Sequence, residues 1–247
     1  MNNNPILGFN YLLEGLKLLL KPGLKRYLVA PLTINILVFS LIGWIGYTQF
    51  ESFLNWMLPE SSWLNYLRWL LWPLFALAAL LITFYTFTVV ANIIAAPFNS
   101  LLAERVELLL TGQKAPEGNE KLFAAILPAI LSELRKLGYF LIRAIPLLIL
   151  FIIPGVNVIA PVLWLLFSAW FLALEYSDFP MGNHGLTFPD QHRRMKRLRM
   201  TALGFGGGVT LFMMIPLLNF VVMPAAVAGA TVMWCKKRDV LAGEPQG

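Results

Sequence analysis

Ile153-Pro154-Gly155-Val156-Asn157 and Ile215-Pro216-Leu217-Leu218-Asn219 are the two stretches on which the fold of this chain turns. Each interrupts an apolar segment near its middle, and each brings a proline, which fixes φ and removes a backbone donor. The apolar arms on either side are shorter than the roughly 20 residues needed to cross a hydrocarbon core of about 30 Å. Two hydrophobic hairpins that dip into a bilayer and turn inside it are therefore expected, with Pro154 and Asn157 at one tip and Pro216 and Asn219 at the other. Irregular backbone at that depth is tolerated only where protein or a wet cavity surrounds it. The repeat points to a polar path in the membrane, the architecture of a permease or channel. Six full spans satisfy the same pattern, because the turns at Gly155 and Leu217 carry no charge.

Composition fixes the class independently. Hydrophobic residues make up 58% and charged ones 13%, with a mean hydropathy of +0.70, well beyond the apolar share of a soluble domain. An all-α integral membrane protein is implied, with two long transmembrane helices, two hemi-penetrating (re-entrant) hairpins, and amphipathic and cytoplasmic surface helices. No short apolar run with a small-residue cleavage site follows the polar Met1-Asn2-Asn3-Asn4-Pro5, so no cleaved signal is expected. A single cysteine, Cys235, excludes an intrachain disulfide and a Cys-rich metal site.

Outward from the hairpins, the chain reads as a single membrane domain over 1–247. Residues 5–24 place Ile6, Leu7, Phe9, Leu12, Leu13, Leu16, Leu19 and Leu20 at helical spacing, with Glu14, Lys17 and Lys21 opposite, which predicts an interfacial helix. Transmembrane helices are predicted over 27–50 and 69–98, flanking a polar loop whose Trp56, Trp63, Tyr66 and Trp69 suit a headgroup layer. A cytoplasmic helical segment follows over 99–138, broken at Thr111-Gly112-Gln113-Lys114-Ala115-Pro116. Then come hairpin 1 (139–176), a basic loop (177–200), hairpin 2 (201–235) and a tail (236–247). Of the 19 Lys and Arg, Arg68 alone lies in the loop between the spans. The positive-inside rule puts both termini and the 99–138 segment in the cytoplasm.

The basic loop carries the most chemistry. In Gly185-Leu186-Thr187-Phe188-Pro189, the proline suits the first turn of a helix. The residues before it would then offer N–H groups at a positive helix end, Thr187 adding a hydroxyl, as in an oxyanion nest. Arg193, Arg194, Lys196, Arg197 and Arg199 follow, and Lys25-Arg26 lies on the same expected side of the membrane. The plainer alternatives are a helix cap preceded by a turn, with cations that serve topology and meet anionic membrane lipids. Asn157 and Asn219 would cap the returning half-helices, a recurring way to face positive helix ends toward an anion.

Other chemistry finds little support. His184 and His192 lack the i, i+4 spacing of a helical metal pair. Ser177, Asp178 and His184 lack a nucleophile elbow. The glycines Gly204, Gly206, Gly207 and Gly208 lack the Lys-Ser/Thr of a nucleotide loop and suit close helix packing instead. No cofactor, metal, ATP or nucleic acid is expected.

Taken together, Ala95-Ala96-Pro97-Phe98-Asn99-Ser100-Leu101-Leu102-Ala103-Glu104-Arg105-Val106-Glu107, the Gly185–Pro189 motif and the paired Ile-Pro-x-x-Asn turns resemble the CysZ sulfate permease family of bacterial inner membranes. The resemblance implies sulfate uptake for cysteine biosynthesis, the two-span, two-hairpin fold, and a homo-oligomer. It implies sulfate bound at Gly185, Leu186, Thr187 and Phe188 with help from Lys25 and Arg26, and acceptance of sulfite, thiosulfate or selenate. Two consecutive arginines would be expected in many relatives; Lys25 offers no bidentate fork. A membrane scaffold or regulator and a lipid-modifying enzyme are the competing classes. The hydrophobic segments hold almost no ionisable residues for the enzyme, Arg143 and Glu175 lying near their edges.

Overall fold

The computed structural model describes residues 3–57, 73, 74, 77, 81, 95–113 and 122–242, and these form helices and turns with no strand among them. The helices are α1 (Pro5–Leu19), α2 (Arg26–Met57), α3 (95–111), α4 (Leu122–Leu150), α5 (Ala160–Gly182), α6 (Phe188–Met195), α7 (Arg199–Met213), α8 (Pro216–Lys236) and α9 (Arg238–Ala242). Lys196–Leu198 forms a 3₁₀ turn between α6 and α7. The chain divides into two compact units, one of Met1–Leu28 with Asn99–Gly247 and one of Val29–Phe98. Among the described residues two helical stretches are long and apolar enough to cross a membrane, Arg26–Ile45 and Ala160–Gly182. Most of the second expected span, 69–98, and the 58–68 loop lie outside the described residues.

The core of the first unit is made by α1, α5, α7 and α8. Small residues decide how closely they approach. A Cβ on Gly8 would collide with the Thr201 carbonyl of α7, one on Gly15 with the backbone of Ala225 and Gly229 of α8, and one on Gly206 with the Ala169 carbonyl of α5. The glycine series of α7 is thus a packing surface, as its lack of a phosphate-loop pattern predicted. Leu12, Phe205, Val209 and Met233 fill the space between these backbones. Asn4 caps α1, its Oδ1 accepting from Ile6 N at 2.9 Å. Asn3 and Asn4 also bond Thr201, and Lys236 pairs with Glu14 at 2.8 Å, tying α1 to α7 and α8. The sequence placed α1 at the membrane surface with its apolar face toward lipid; in the structure Leu12 and Leu19 of that face are buried in the core, together with Tyr11 and Leu18. Likewise α3, expected as part of a surface segment, buries Leu102, Ala103 and Val106 in the same core.

Hairpin 1 is a helical hairpin with longer arms than expected. Its helices run 29 and 23 residues, so α5 alone spans about 34 Å at 1.5 Å per residue. Arms of this length are not too short to cross a hydrocarbon core of about 30 Å. Hydropathy bounds the arms at 139 and 176 because Lys136 and Asp178 lie just beyond, yet Lys136 pairs with Asp178 and with Glu175 inside the arm, and the helices continue. Phe140 of α4 makes tilted ring contacts with Phe167 and Phe171 of α5. The turn over 151–159 uses Gly155 at φ +82 and leaves Ile152 and Val158 80% and 76% exposed. Hairpin 2 has arms of 15 and 21 residues.

The tip asparagines do not cap the returning helices. Ile159 occupies the N-cap of α5 without a side-chain bond, and Asn157 sits exposed in the turn, its N–H bonded to Ile153 O at 3.0 Å. Pro216 opens α8 in its first turn after Ile215, which leaves Asn219 inside the helix. Proline's preset φ and missing donor favour that position over a cap three residues later. Pro154 lies exposed in the first turn.

Candidate anion site

Most of the expected 177–200 loop is helix. The helix α5 runs on through Gly182, and α6 begins at Phe188 with Pro189 in its first turn, as predicted. Between them the chain makes a Schellman ending. Leu186 N donates to Met181 O at 3.1 Å, Gly185 N donates to Gly182 O at 2.8 Å, and Gly185 takes the left-handed conformation, φ +70, that this motif needs. Met181 is buried in the core and Leu186 packs against that core.

This geometry corrects the expected nest of free donors. The N–H groups of Gly185 and Leu186 close the end of α5, and Phe188 N donates to Ser132 Oγ of α4 at 2.8 Å. Thr187, expected to turn its hydroxyl toward an anion, donates it to Asp190 Oδ2 at 3.1 Å. The Thr187 N–H alone of the four has no partner among the described residues. Asp190 itself lies in the first turn of α6, where a carboxylate complements the positive helix end. It also accepts from Arg193 at 2.6 Å.

Side chains that sequence reasoning left aside hold the turn in place. On α4, the buried Lys136 donates to Asp178 Oδ2 at 2.8 Å and lies 3.0 Å from Glu133 and 3.3 Å from Glu175. Burial by itself would lower the pKa of Lys136, but Asp178, Glu175 and Glu133 together raise it. Gln191 completes the chain, donating to Asp178 Oδ1 at 2.6 Å and to Leu186 O at 2.8 Å. On the other side, Asn183 Nδ2 bonds Ser100 O at 2.9 Å and His184 Nε2 meets the Glu107 carboxylate at 2.9 Å. The helical spacing of Ser132 and Lys136, with Ser100 and Glu107 on α3, was the available signal. The histidines take structural partners, His192 stacking on Phe188 at 5.8 Å.

Lys25 and Arg26 stand exposed at the start of α2, held by Leu24, which is fully buried, and Tyr27, which packs on the core. Arg26 Nη2 donates to Tyr27 Oη at 2.9 Å. Among the described residues no bond joins this pair to the 185–188 turn, so the structure places the two halves of the expected site without linking them.

Comparison with known proteins identifies the family. The family model described as Sulfate transporter CysZ/Etoposide-induced protein 2.4 matches residues 11–224. A protein named Sulfate transporter CysZ from Pseudomonas aeruginosa strain LESB58 is 45% identical over 233 residues, 93% of this chain and 95% of the relative. One of the same name from Pseudomonas fluorescens strain Pf-5 is 50% identical over 241 residues, 96% of each chain. A third, from Pectobacterium atrosepticum, is 43% identical over 230 residues, 92% of this chain and 84% of the relative. A match of this extent means that the chain belongs to the Sulfate transporter CysZ/Etoposide-induced protein 2.4 family.

Proposed function

We propose that this protein is a sulfate permease of the bacterial inner membrane that supplies sulfate for reduction and cysteine biosynthesis. The observation that carries the reading is the similarity, over nearly the full length, to proteins named Sulfate transporter CysZ. Both termini lie in the cytoplasm, the two hairpins enter the bilayer from that side, and the chain works as a homo-oligomer among membrane lipids. Sulfate docks at Gly185, Leu186, Thr187 and Phe188, with Lys25 and Arg26 supplying charge, and sulfite, thiosulfate and selenate compete for the same place. The hairpin tips at Pro154, Asn157, Pro216 and Asn219 border the polar path.

Docking has a definite requirement in this geometry. The Thr187 N–H, without a partner among the described residues, donates to one sulfate oxygen, and Phe188 N–H follows when it leaves Ser132. Thr187 Oγ1 must turn from Asp190. Gly185 and Leu186 then serve by holding the turn through the end of α5 rather than by donating. The test is radiolabelled sulfate uptake into proteoliposomes, with and without a pH gradient. Saturable uptake that selenate inhibits and chloride does not is the expected result; liposomes that pass no anion would make the chain a scaffold and refute the proposal.

A further inference from the structure

A cavity of about 250 Å³ lies where α4, α5, α6 and the start of α7 meet, lined by Tyr139, Arg143, Trp170, His192, Lys196 and Arg199. Three of these are cations, and no carboxylate lines the cavity. The Arg143 guanidinium sits 3.7 Å over the Tyr139 ring and donates to the Tyr139 carbonyl at 3.3 Å, which leaves further donors of its fork unspent. Lys196 and Arg199 are exposed and have no acidic partner among the described residues, whereas the neighbouring Arg193 is paired with Asp190. Burial lowers the pKa of His192, and Lys196, Arg143 and Arg199, which line the same cavity, lower it further. Tyr139 Oη accepts from Trp170 Nε1 at 2.8 Å, so its own proton remains available to a ligand.

Such a set of donors, without a counter-charge, fits a tetrahedral oxyanion. The surroundings say what else the ligand carries. The rest of the wall is aromatic or aliphatic, and Ile142, Ile145 and Met200, which neighbour the cavity residues in sequence on α4 and α7, are exposed apolar side chains. Free sulfate gains nothing from apolar walls; an acyl glycerol does. We propose that this cavity binds the phosphodiester headgroup of an anionic membrane lipid, with Arg143, Lys196 and Arg199 on the phosphate and Tyr139 donating to one of its oxygens. The assignment does not depend on sulfate binding at the 185–188 turn.

The test is calorimetric titration of the purified protein with a short-chain phosphatidylglycerol below its micelle concentration. Lys196→Gln and Arg199→Gln should each weaken binding by about tenfold, the loss expected for one charge-assisted hydrogen bond. Arg193→Gln removes the same charge outside the cavity and should change affinity by less than about threefold, the share of a screened surface charge. Lys196→Arg should retain binding, and unchanged circular dichroism checks the fold of each variant. Equal losses in all three glutamine variants would reduce the effect to general attraction and overturn the site. Sodium sulfate should displace the lipid no better than sodium chloride at matched ionic strength. Preferential displacement by sulfate, lost in Arg199→Gln, would give the cavity to a free oxyanion and overturn the lipid assignment.

Discussion

Lys136→Met removes the cation that three carboxylates share while keeping an unbranched side chain in the same space. Lys136 is 7% exposed, so its charge cannot be replaced by water without rearrangement. Its contact with Asp178 at 2.8 Å is a charged hydrogen bond to the least exposed of the three partners, a class worth about 1.5–3 kcal/mol. Glu133 and Glu175 are more open to solvent, and pairs of that kind contribute about 0–1 kcal/mol each. The sum is about 1.5–5 kcal/mol, which corresponds to a fall in Tm of roughly 3–20 °C for a chain of this size. Thermal unfolding in detergent measures it. The effect should reach the anion turn as well, because the same Asp178 holds Gln191 and Gln191 holds Leu186 O. Sulfate affinity should therefore drop with stability, and Lys136→Arg should restore both. The sign of the pH dependence follows from the raised pKa of Lys136: its stabilisation is complete below the ordinary lysine value and is lost only as pH rises beyond it. The gap between wild type and variant should thus stay constant from about pH 7 to 9. An unchanged Tm, or a gap that closes by pH 9, refutes the reasoning.

Gly185→Val meets no atom within 4 Å of the added Cβ, but at φ +70 it costs backbone strain of about 1–2 kcal/mol, so sulfate binding by calorimetry should fall about tenfold while Leu186→Ala, which keeps its N–H on Met181 O, stays within a few-fold. Arg26→Ala should weaken sulfate binding about tenfold with assembly intact on size-exclusion chromatography, since among the described residues its side chain bonds and stacks on Tyr27 alone. Asp190→Asn removes the carboxylate that competes for Thr187 Oγ1 and the start of α6; sulfate affinity should rise severalfold, and a fall would show that Asp190 supports the site. Cysteines at Gly155 and Leu217, with Cys235 replaced, should resist an impermeant thiol reagent added from the periplasmic side, and ready labelling of both would establish full spans.

How far the sequence carries depends on which force acts at each place. The packing glycines of α7 were legible because Gly204, Gly206 and Gly208 have no side chain to offer any site, and each touches a neighbouring helix. Pro189 was legible because proline has one good place in a helix. The length of α4 and α5 was not, since hydropathy treats Lys136 and Asp178 as boundaries, and only the folded pairing of Lys136 with Glu175 and Asp178 shows that their charges offset one another inside the hairpin. Gly185 was read with the helix that follows it, whereas its positive φ belongs to the helix before it. One glycine between two helices can serve either, and nothing local to Gly185-Leu186-Thr187 distinguishes the cases. The partners that settle the matter, Met181, Gly182 and Ser132, lie outside the motif.

That arrangement bears on how a permease would use its site. A helix N-terminus with two or three free N–H groups, dry and adjoining several cations, would hold a dianion tightly and release it slowly. In this chain the donors of the turn other than Thr187 N–H already have acceptors in the protein: Ser132 for Phe188 N–H, Met181 and Gly182 for Leu186 and Gly185 N–H, and Asp190 for the Thr187 hydroxyl. An incoming sulfate exchanges one set of hydrogen bonds for another, so its net gain per bond is the small difference between two similar contacts rather than the full value of either. Lys25 and Arg26, by contrast, are exposed with no acidic partner among the described residues, and screened attraction raises the local concentration of anions without a deep well. Attraction by exposed charge combined with donors that have partners to return to favours quick entry and quick exit. Mutations at the cations should consequently act on the rate of capture, and mutations at Ser132 or Asp190 on residence time.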